Sequence, residues 1–144
     1  MAGGSLFRVK VKASLVKVAH GEKAFRKAQV LVSPPSGQEW RSYYFQGSVR
    51  LAMRVQVNGV GDKVYYLLTD HLGSTTVSYQ SDGQETRFQS YKPWGELRGS
   101  GNSLPTDRTF TGQRWDSYIN LYWYSSRWYE AEFNLLSNAY FMSW

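Results

Sequence analysis

The chain has 144 residues, a length typical of one domain with its own core. It contains no cysteine, which excludes disulfide bonds and thiolate metal sites, and no apolar run approaches the roughly 20 residues of a membrane-spanning helix. The net charge is +6, and residues 1–30 carry all of it, because residues 31–144 hold ten basic and ten acidic residues. This asymmetry predicts weak, non-specific affinity for nucleic acid through residues 1–30.

The first segment, residues 1–37, has a basic strand pattern followed by a linker. Phe7–Lys12 alternates apolar and basic residues, which predicts a strand with one hydrated face. The Pro, Ser and Gly cluster at Ser33–Gly37 interrupts any strand or helix, so we expect a linker there. The start lacks the charged-then-apolar order of a secretory signal peptide.

Residues 38–129 predict an all-β fold of consecutive antiparallel hairpins. Short runs rich in Tyr, Val, Thr and Phe alternate with turn signals, and no convincing helix is present. Arg50–Val57 ends at Asn58-Gly59, a dipeptide that favours a tight hairpin turn. The other strands expected in this region are Thr75–Gln80, Glu85–Tyr91 up to Pro93, Arg108–Gly112 and Leu121–Tyr129.

Aromatic residues recur at a fixed interval. Tyr44, Tyr66, Phe88 and Phe110 are each 22 residues apart, and Gly73 and Gly95 both follow their aromatic residue by seven positions. A period of this length is typical of repeated hairpins. We therefore expect both glycines to lie in turns.

Three residues could be read as a catalytic set. Asp70, His71 and Ser74 are the residue types of an acyl-transfer triad, but side chains this close along one segment do not converge on a common point. Asp70 to Gly73 also fits a turn in which the carboxylate accepts hydrogen bonds from nearby amides. We therefore expect structural roles for these residues and predict no catalytic residue, metal site or cofactor.

Two further features leave alternatives open. If the last strand continues, Glu130 and Glu132 share one of its faces. The two carboxylates could then act as an acid and base pair, or they could be charges on a solvated edge strand. In period-2 spacing, Tyr122, Tyr124 and Trp128 share one face of Leu121–Tyr129 and Trp123 and Tyr129 the other. These faces predict a packed wall or, alternatively, a stacking platform for carbohydrate or nucleic acid.

Four ordered motifs carry a family resemblance. They are Tyr65–Thr75, Tyr91–Glu96, Phe110–Gln113 and Tyr122–Tyr129. Residues 40–129 resemble the Rhs/YD-repeat proteins, specifically the core segment associated with their repeats. The residues that match as structural motif positions are Tyr65, Tyr66, Asp70, His71, Gly73, Ser74, Pro93, Gly95, Phe110, Gly112, Gln113, Tyr122, Tyr124, Arg127 and Tyr129.

The resemblance implies a role as well as a fold. Members wind β-hairpins into a hollow shell that holds a C-terminal toxin in secreted or surface-displayed bacterial systems. The implied partners are neighbouring repeats of a larger chain or a cargo domain, and the implied location is outside the cell or at its surface. Open sheet edges would favour self-association.

One departure from the family pattern concerns self-cleavage. Members that cut themselves continue after the Arg-Trp-Tyr element with Asp-Pro and then Gly-Arg-Phe, whereas this chain continues with Glu130–Asn134. Residues 130–144 are therefore interpreted as a divergent tail. The chain is interpreted as a terminal fragment, a remnant of a larger gene or a small stand-alone protein. A degenerate aspartyl self-cleaving core is the second alternative for its function.

We expect binding of single-stranded DNA to weaken steeply with salt and to be largely lost by about 200 mM, because few cationic contacts act through counterion release. Fluorescence anisotropy with a labelled strand, comparing the full chain and a shortened chain starting at Gln38, measures this. Salt-resistant binding by the shortened chain would instead assign the binding to the aromatic strands.

Overall fold

The fold is known from a computed structural model that describes residues 10–14, 25–32, 39–58, 61–99 and 104–138. The regular structure in these ranges comprises thirteen β-strands and one short 3-10 turn, without an α-helix. The predicted all-β fold of consecutive antiparallel hairpins is therefore confirmed. No helix in the same ranges is long and apolar enough to cross a membrane.

The strands form three sheets. The seven-stranded sheet keeps the order of the sequence, the next two strands form a ribbon, and the last four form a third sheet, also in sequence order. The strands are β1 (Lys10–Ser14), β2 (Phe25–Val32), β3 (Glu39–Gln46), β4 (Val49–Val57), β5 (Gly61–Thr69), β6 (Thr75–Gln80), β7 (Thr86–Phe88), β8 (Ser90–Tyr91), β9 (Leu97–Arg98), β10 (Arg114–Asp116), β11 (Leu121–Tyr124), β12 (Arg127–Glu130) and β13 (Leu135–Asn138).

By internal contacts the chain divides into two compact units. The first comprises residues 1–67 and 79–85, and the second comprises residues 68–78 and 86–144. In the first unit, β2 pairs with β3 from Phe25↔Gln46 to Val32↔Glu39, so part of the basic N-terminal segment belongs to the same sheet as β3. The predicted linker at Ser33–Gly37 lies outside the described residues.

A small aromatic core covers one face of the first unit. Tyr43, Met53 and Tyr65 lie opposite one another on β3, β4 and β5 and are buried together with Leu67. Residues in register on neighbouring strands share a face of the sheet, so these three side chains form a row across it. The Arg50 guanidinium lies 5.2 Å from the centroids of both the Tyr43 and the Phe45 ring, a cation–π arrangement.

The predicted hairpin after Arg50–Val57 is confirmed. Strand β4 pairs with β5 in antiparallel register from Ala52↔Tyr66 to Val57↔Gly61. On the other face of these strands, Arg54 makes a bidentate ion pair with Asp62, and the guanidinium holds the pKa of that carboxyl below its ordinary value. Gly59, in the predicted turn dipeptide, lies outside the described residues.

The 22-residue aromatic spacing corresponds in part to the strand order. Tyr44, Tyr66 and Phe88 lie on the alternate strands β3, β5 and β7, as expected for a repeat of one hairpin. The fourth position differs, because Phe110 begins the 3-10 turn Phe110–Gly112 and is buried. Tyr66 and Phe88, in contrast, are 50% and 70% exposed.

Two of the expected last strands are wrong in detail. Of Arg108–Gly112, Arg108 forms an isolated bridge with Arg114, and the chain then turns because Thr111 and Gly112 have φ angles of +49° and +71°. Positive φ is incompatible with a strand. The run Leu121–Tyr129 is two strands, β11 and β12, joined by a turn in which Ser125 has a φ of +60°.

The turn between β11 and β12 changes which side chains of Leu121–Tyr129 share a face of the sheet. Tyr122 lies opposite Tyr129 and Trp123 lies opposite Trp128, so Tyr129 shares its face with Tyr122 and the two tryptophans share the other. The Trp123 and Trp128 ring centroids are 4.8 Å apart. A single strand would have placed Tyr129 with Trp123, and the turn reverses this assignment.

The expectation for the two glutamates is also wrong. Strand β12 ends at Glu130, and Glu132 lies in the following turn rather than on a continuing strand. Strand β13 then pairs with β12 from Glu130↔Leu135 to Arg127↔Asn138. Because β12 lies between β11 and β13, Glu130 is on an internal strand and not on a charged edge.

Gly73 and Gly95 lie in turns with φ angles of +80° and +97°, as predicted. We expect Gly95→Ala to be far more destabilising than Gly73→Ala. Positive φ alone costs an alanine about 1–2 kcal/mol, and nothing lies within 4 Å of a Cβ at Gly73. A Cβ at Gly95 would lie 2.4 Å from Phe110 Cδ1, so overpacking adds roughly 1–3 kcal/mol.

Urea unfolding followed by tryptophan fluorescence measures both variants. Equal losses of unfolding free energy would contradict the close approach of Phe110 to this turn.

Candidate functional site

Four aromatic motif residues of the second unit, together with Tyr91, form a continuous series of rings. The ring centroids are 5.7 Å apart for Tyr91 and Phe110, 5.9 Å for Phe110 and Tyr122, 6.3 Å for Tyr122 and Tyr129, and 5.7 Å for Tyr129 and Tyr124. These spacings are typical of favourable aromatic pairs. Phe110, Tyr122 and Tyr129 are buried and form the core of this unit with Ala131.

The hydroxyls of three of these tyrosines donate hydrogen bonds to backbone carbonyls far away in sequence. Tyr122 donates to Gly95 O at 2.8 Å and Tyr129 to Trp94 O at 2.7 Å, so both hold the turn between β8 and β9. Tyr91 donates to Thr75 O at 2.6 Å, at the start of β6. We call Tyr91, Tyr122 and Tyr129 the tyrosine clamp.

The turn held by the clamp is itself ordered by its backbone. Lys92 N donates to Glu96 O at 2.7 Å and Gly95 N donates to Lys92 O at 2.9 Å. Pro93 lies in this turn and is exposed, and β8 ends two residues before it, as predicted. The proline ring cannot donate to a ladder, so the strand cannot continue through it.

Asp70 organises the other motif turn. Its Oδ1 accepts hydrogen bonds from the amides of Leu72 and Ser74, both at 2.9 Å. Asp70 N also donates to Ser74 O at 2.9 Å, and Gly73 N donates to Asp70 O at 3.1 Å. This is the predicted turn chemistry, in which a short carboxylate replaces backbone acceptors.

Ser74 connects that turn to the 3-10 turn. The Ser74 side chain is fully buried, and its Oγ accepts a hydrogen bond from Thr111 N at 2.9 Å. Thr111 has positive φ, which is unfavourable for a β-branched residue. Its Oγ1 lies 2.7 Å from Tyr124 Oη, so Thr111 is held on both its backbone and its side chain.

The triad residue types do not make a catalytic arrangement among these contacts. Asp70 and Ser74 use their side-chain oxygens to accept backbone amides, and His71 is an exposed residue of the turn. No group of three or more histidine, cysteine, aspartate or glutamate residues in the described ranges is arranged to hold a metal ion.

The remaining motif residues lie in different places. Tyr65 belongs to the core of the first unit, and Tyr66 stacks on Tyr79 with ring centroids 6.4 Å apart. Gln113 N donates to Phe110 O at 2.9 Å and so closes the 3-10 turn. Arg127 is exposed at the start of β12, next to the Ser125-Ser126 turn.

The sequence patterns did not predict that three threonines of this region are buried. Thr75, Thr106 and Thr109 are almost completely buried. Thr75 Oγ1 donates to Arg108 O at 2.9 Å, and Thr106 Oγ1 accepts from Arg108 N at 3.0 Å. Threonine is common both on strand surfaces and in loops, so no periodicity in the sequence distinguishes these positions.

Burial alters the acidity of the clamp. It raises the pKa of Tyr122 to about 12, and the nearby Thr109 hydroxyl acts in the opposite direction. Burial also raises the pKa of Tyr91 and of Tyr129. A tyrosinate cannot donate the hydrogen bonds that hold the turn, so the clamp requires the protonated form.

Comparison with known proteins gives no family assignment. Neither the protein-family models nor the curated proteins include a match to this chain. The resemblance to the Rhs/YD-repeat proteins therefore rests on the four motifs themselves.

We expect Tyr122→Phe to lower the free energy of unfolding by about 1–3 kcal/mol, because the buried carbonyl of Gly95 loses its donor. Tyr118→Phe is the matched control, since Tyr118 is 94% exposed and should give no measurable change. Urea unfolding of both variants provides the comparison, and equal midpoints for the two would contradict the clamp.

We also expect stability to fall between pH 10 and pH 12. The pKa of Tyr122 is about 12 in the folded chain and about 10 in an unfolded chain. Unfolding therefore releases a proton in this window, and the free energy of unfolding decreases as the pH rises, with no such dependence below pH 10.

Urea unfolding at pH 9 and pH 11.5, with tyrosinate absorbance recorded in parallel, tests this. The decrease should be smaller in Tyr122→Phe, and an unchanged free energy in the unmodified chain would refute the expectation.

Proposed function

We propose that this chain is a non-enzymatic structural module of the Rhs/YD-repeat type. In this proposal its hairpins form part of the wall of a β-shell that encloses or presents a C-terminal cargo, such as a toxin, in an exported or cell-surface bacterial protein. The family in this proposal comes from the resemblance of the four ordered motifs, and the arrangement of their side chains supports the structural role.

The observation that carries the proposal is how the motif residues use their polar atoms. Tyr91, Tyr122 and Tyr129 donate to carbonyls, while Asp70 and Ser74 accept backbone amides. A catalytic group must present its reactive atom to a substrate. In this unit the same atoms position two turns and a strand end, which is the requirement of a wall element.

The aromatic content of the chain fits the same role. Tyr43 and Tyr65 pack in one unit, and Phe110, Tyr122 and Tyr129 pack in the other. Large rings bury extensive apolar area, which stabilises sheets that have no disulfide bonds. The motif aromatics therefore contribute to packing in both units.

The complete gene product provides the test. Sequencing the gene on both sides of this segment should show further hairpin-sized repeats upstream, and negative-stain electron microscopy of the product should show a hollow particle. A compact particle without upstream repeats would overturn the proposed function.

We expect the purified chain to remain intact. The Asp-Pro and Gly-Arg-Phe elements of self-cleaving members are absent after Tyr129, and Glu130 lies on the internal strand β12 while Glu132 lies in a turn. An acid and base pair requires both carboxyls at one reacting bond.

Intact-mass spectrometry should give one full-length species. A fragment ending near residues 130–140 that disappears in Glu130→Gln or Glu132→Gln would revive the self-cleaving alternative.

A further inference from the structure

A groove lies in the second unit beside the contacts described above. Its volume is about 600 Å³, within the roughly 300–1,000 Å³ typical of sites for small organic ligands. The turn at Asp70, strand β6, the end of β7, the ribbon β8–β9 and the 3-10 turn all contribute residues to its lining. It is therefore a groove built from several separate segments of one unit.

One part of the groove lining is apolar and accessible. Leu72 and Phe88 are exposed, and Phe88 presents 70% of its surface to solvent. Tyr91 and Phe110 continue this lining into the aromatic core. Large apolar side chains grouped in a concavity, rather than scattered singly, are typical of binding surfaces.

Two cations also line the groove. Arg98 donates from Nε to Tyr91 O at 3.1 Å, which fixes the guanidinium beside an aromatic residue of the lining and leaves its two terminal amino groups outside that hydrogen bond. Lys92 Nζ lies 3.0 Å from Glu96 Oε1 in an exposed pair. A guanidinium fork suits a planar carboxylate better than an ammonium does.

One acidic group also lines the groove. Asp70 contributes a carboxylate whose Oδ1 already accepts two backbone amides. Lys92 is paired with Glu96, so Arg98 is the cation of the lining whose terminal amino groups can receive a charged ligand. Its charge favours an anionic ligand over a cationic one.

We propose that this groove binds an amphipathic organic anion, with an aromatic or aliphatic body against Leu72 and Phe88 and an acidic headgroup on Arg98. This inference goes beyond the proposed structural function, because a wall element needs no ligand. It assigns Phe88 and Arg98 as binding residues, although neither belongs to the resembling motifs.

Two fluorescent probes that differ only in one sulfonate group test the proposal. The anionic probe is 1-anilinonaphthalene-8-sulfonate, and the neutral probe is N-phenyl-1-naphthylamine, the same body without the sulfonate. We expect one saturable site for the anion on the full chain. Arg98→Gln should weaken the anion at least fivefold and the neutral probe less than twofold, whereas Phe88→Ser should weaken both.

Matched controls separate the groove from general surface binding. Phe133 is 62% exposed and Arg127 is also exposed, and neither lines the groove. Phe133→Ser and Arg127→Gln should therefore leave both affinities within twofold. Effects equal to those of the groove variants, or the absence of a saturable site, would overturn the proposal.

A further measurement applies if Arg98→Gln does not fold. Raising the NaCl concentration from 50 to 500 mM with the unmodified chain should weaken the anionic probe several-fold and leave the neutral probe unchanged. Arg98→Lys, which keeps the charge, should bind the anion within about threefold of the unmodified chain. Equal salt dependence of the two probes would refute the ionic contact.

Discussion

The second unit depends on backbone carbonyl groups that obtain their donors from distant tyrosines. The turn between β8 and β9 packs so closely on Phe110 that only glycine fits at position 95. The Gly95 carbonyl is buried and receives a hydrogen bond from Tyr122, and the carbonyl of the exposed Trp94 receives one from Tyr129. An unsatisfied buried carbonyl is costly, so the turn and the β11–β12 hairpin stabilise each other.

The same mutual dependence explains the strained 3-10 turn. Thr111 adopts positive φ, a conformation that persists only when surrounding contacts determine it. Ser74 holds its amide and Tyr124 its hydroxyl, and these partners come from two different parts of the chain. Ser74, a residue type common in catalytic triads, therefore stabilises the backbone of this turn.

This arrangement supports the structural role proposed for the motifs. Serine and tyrosine hydroxyls and aspartate carboxylates are versatile in catalysis, but here their hydrogen bonds are directed at the main chain. The groove beside Arg98 and Phe88 differs, because its apolar side chains are exposed and its guanidinium is not fully used by the Tyr91 contact. The proposed binding residues Arg98 and Phe88 are therefore distinct from the tyrosine clamp.

The sequence by itself determined the predominance of strands, the β4–β5 and β6–β7 hairpins and the two motif turns. These features depend on local preferences: alternation, Asx and proline chemistry, and glycine at positive φ. It did not determine that Leu121–Tyr129 turns at Ser125, since a serine there carries no strong turn signal and the run still reads as one strand. Nor could it assign Glu130 to an internal strand, which depends on the pairing of β13. Only the tertiary structure brought the Tyr122 hydroxyl to Gly95, 27 residues away, because a hydrogen bond at that separation depends on packing and not on local sequence.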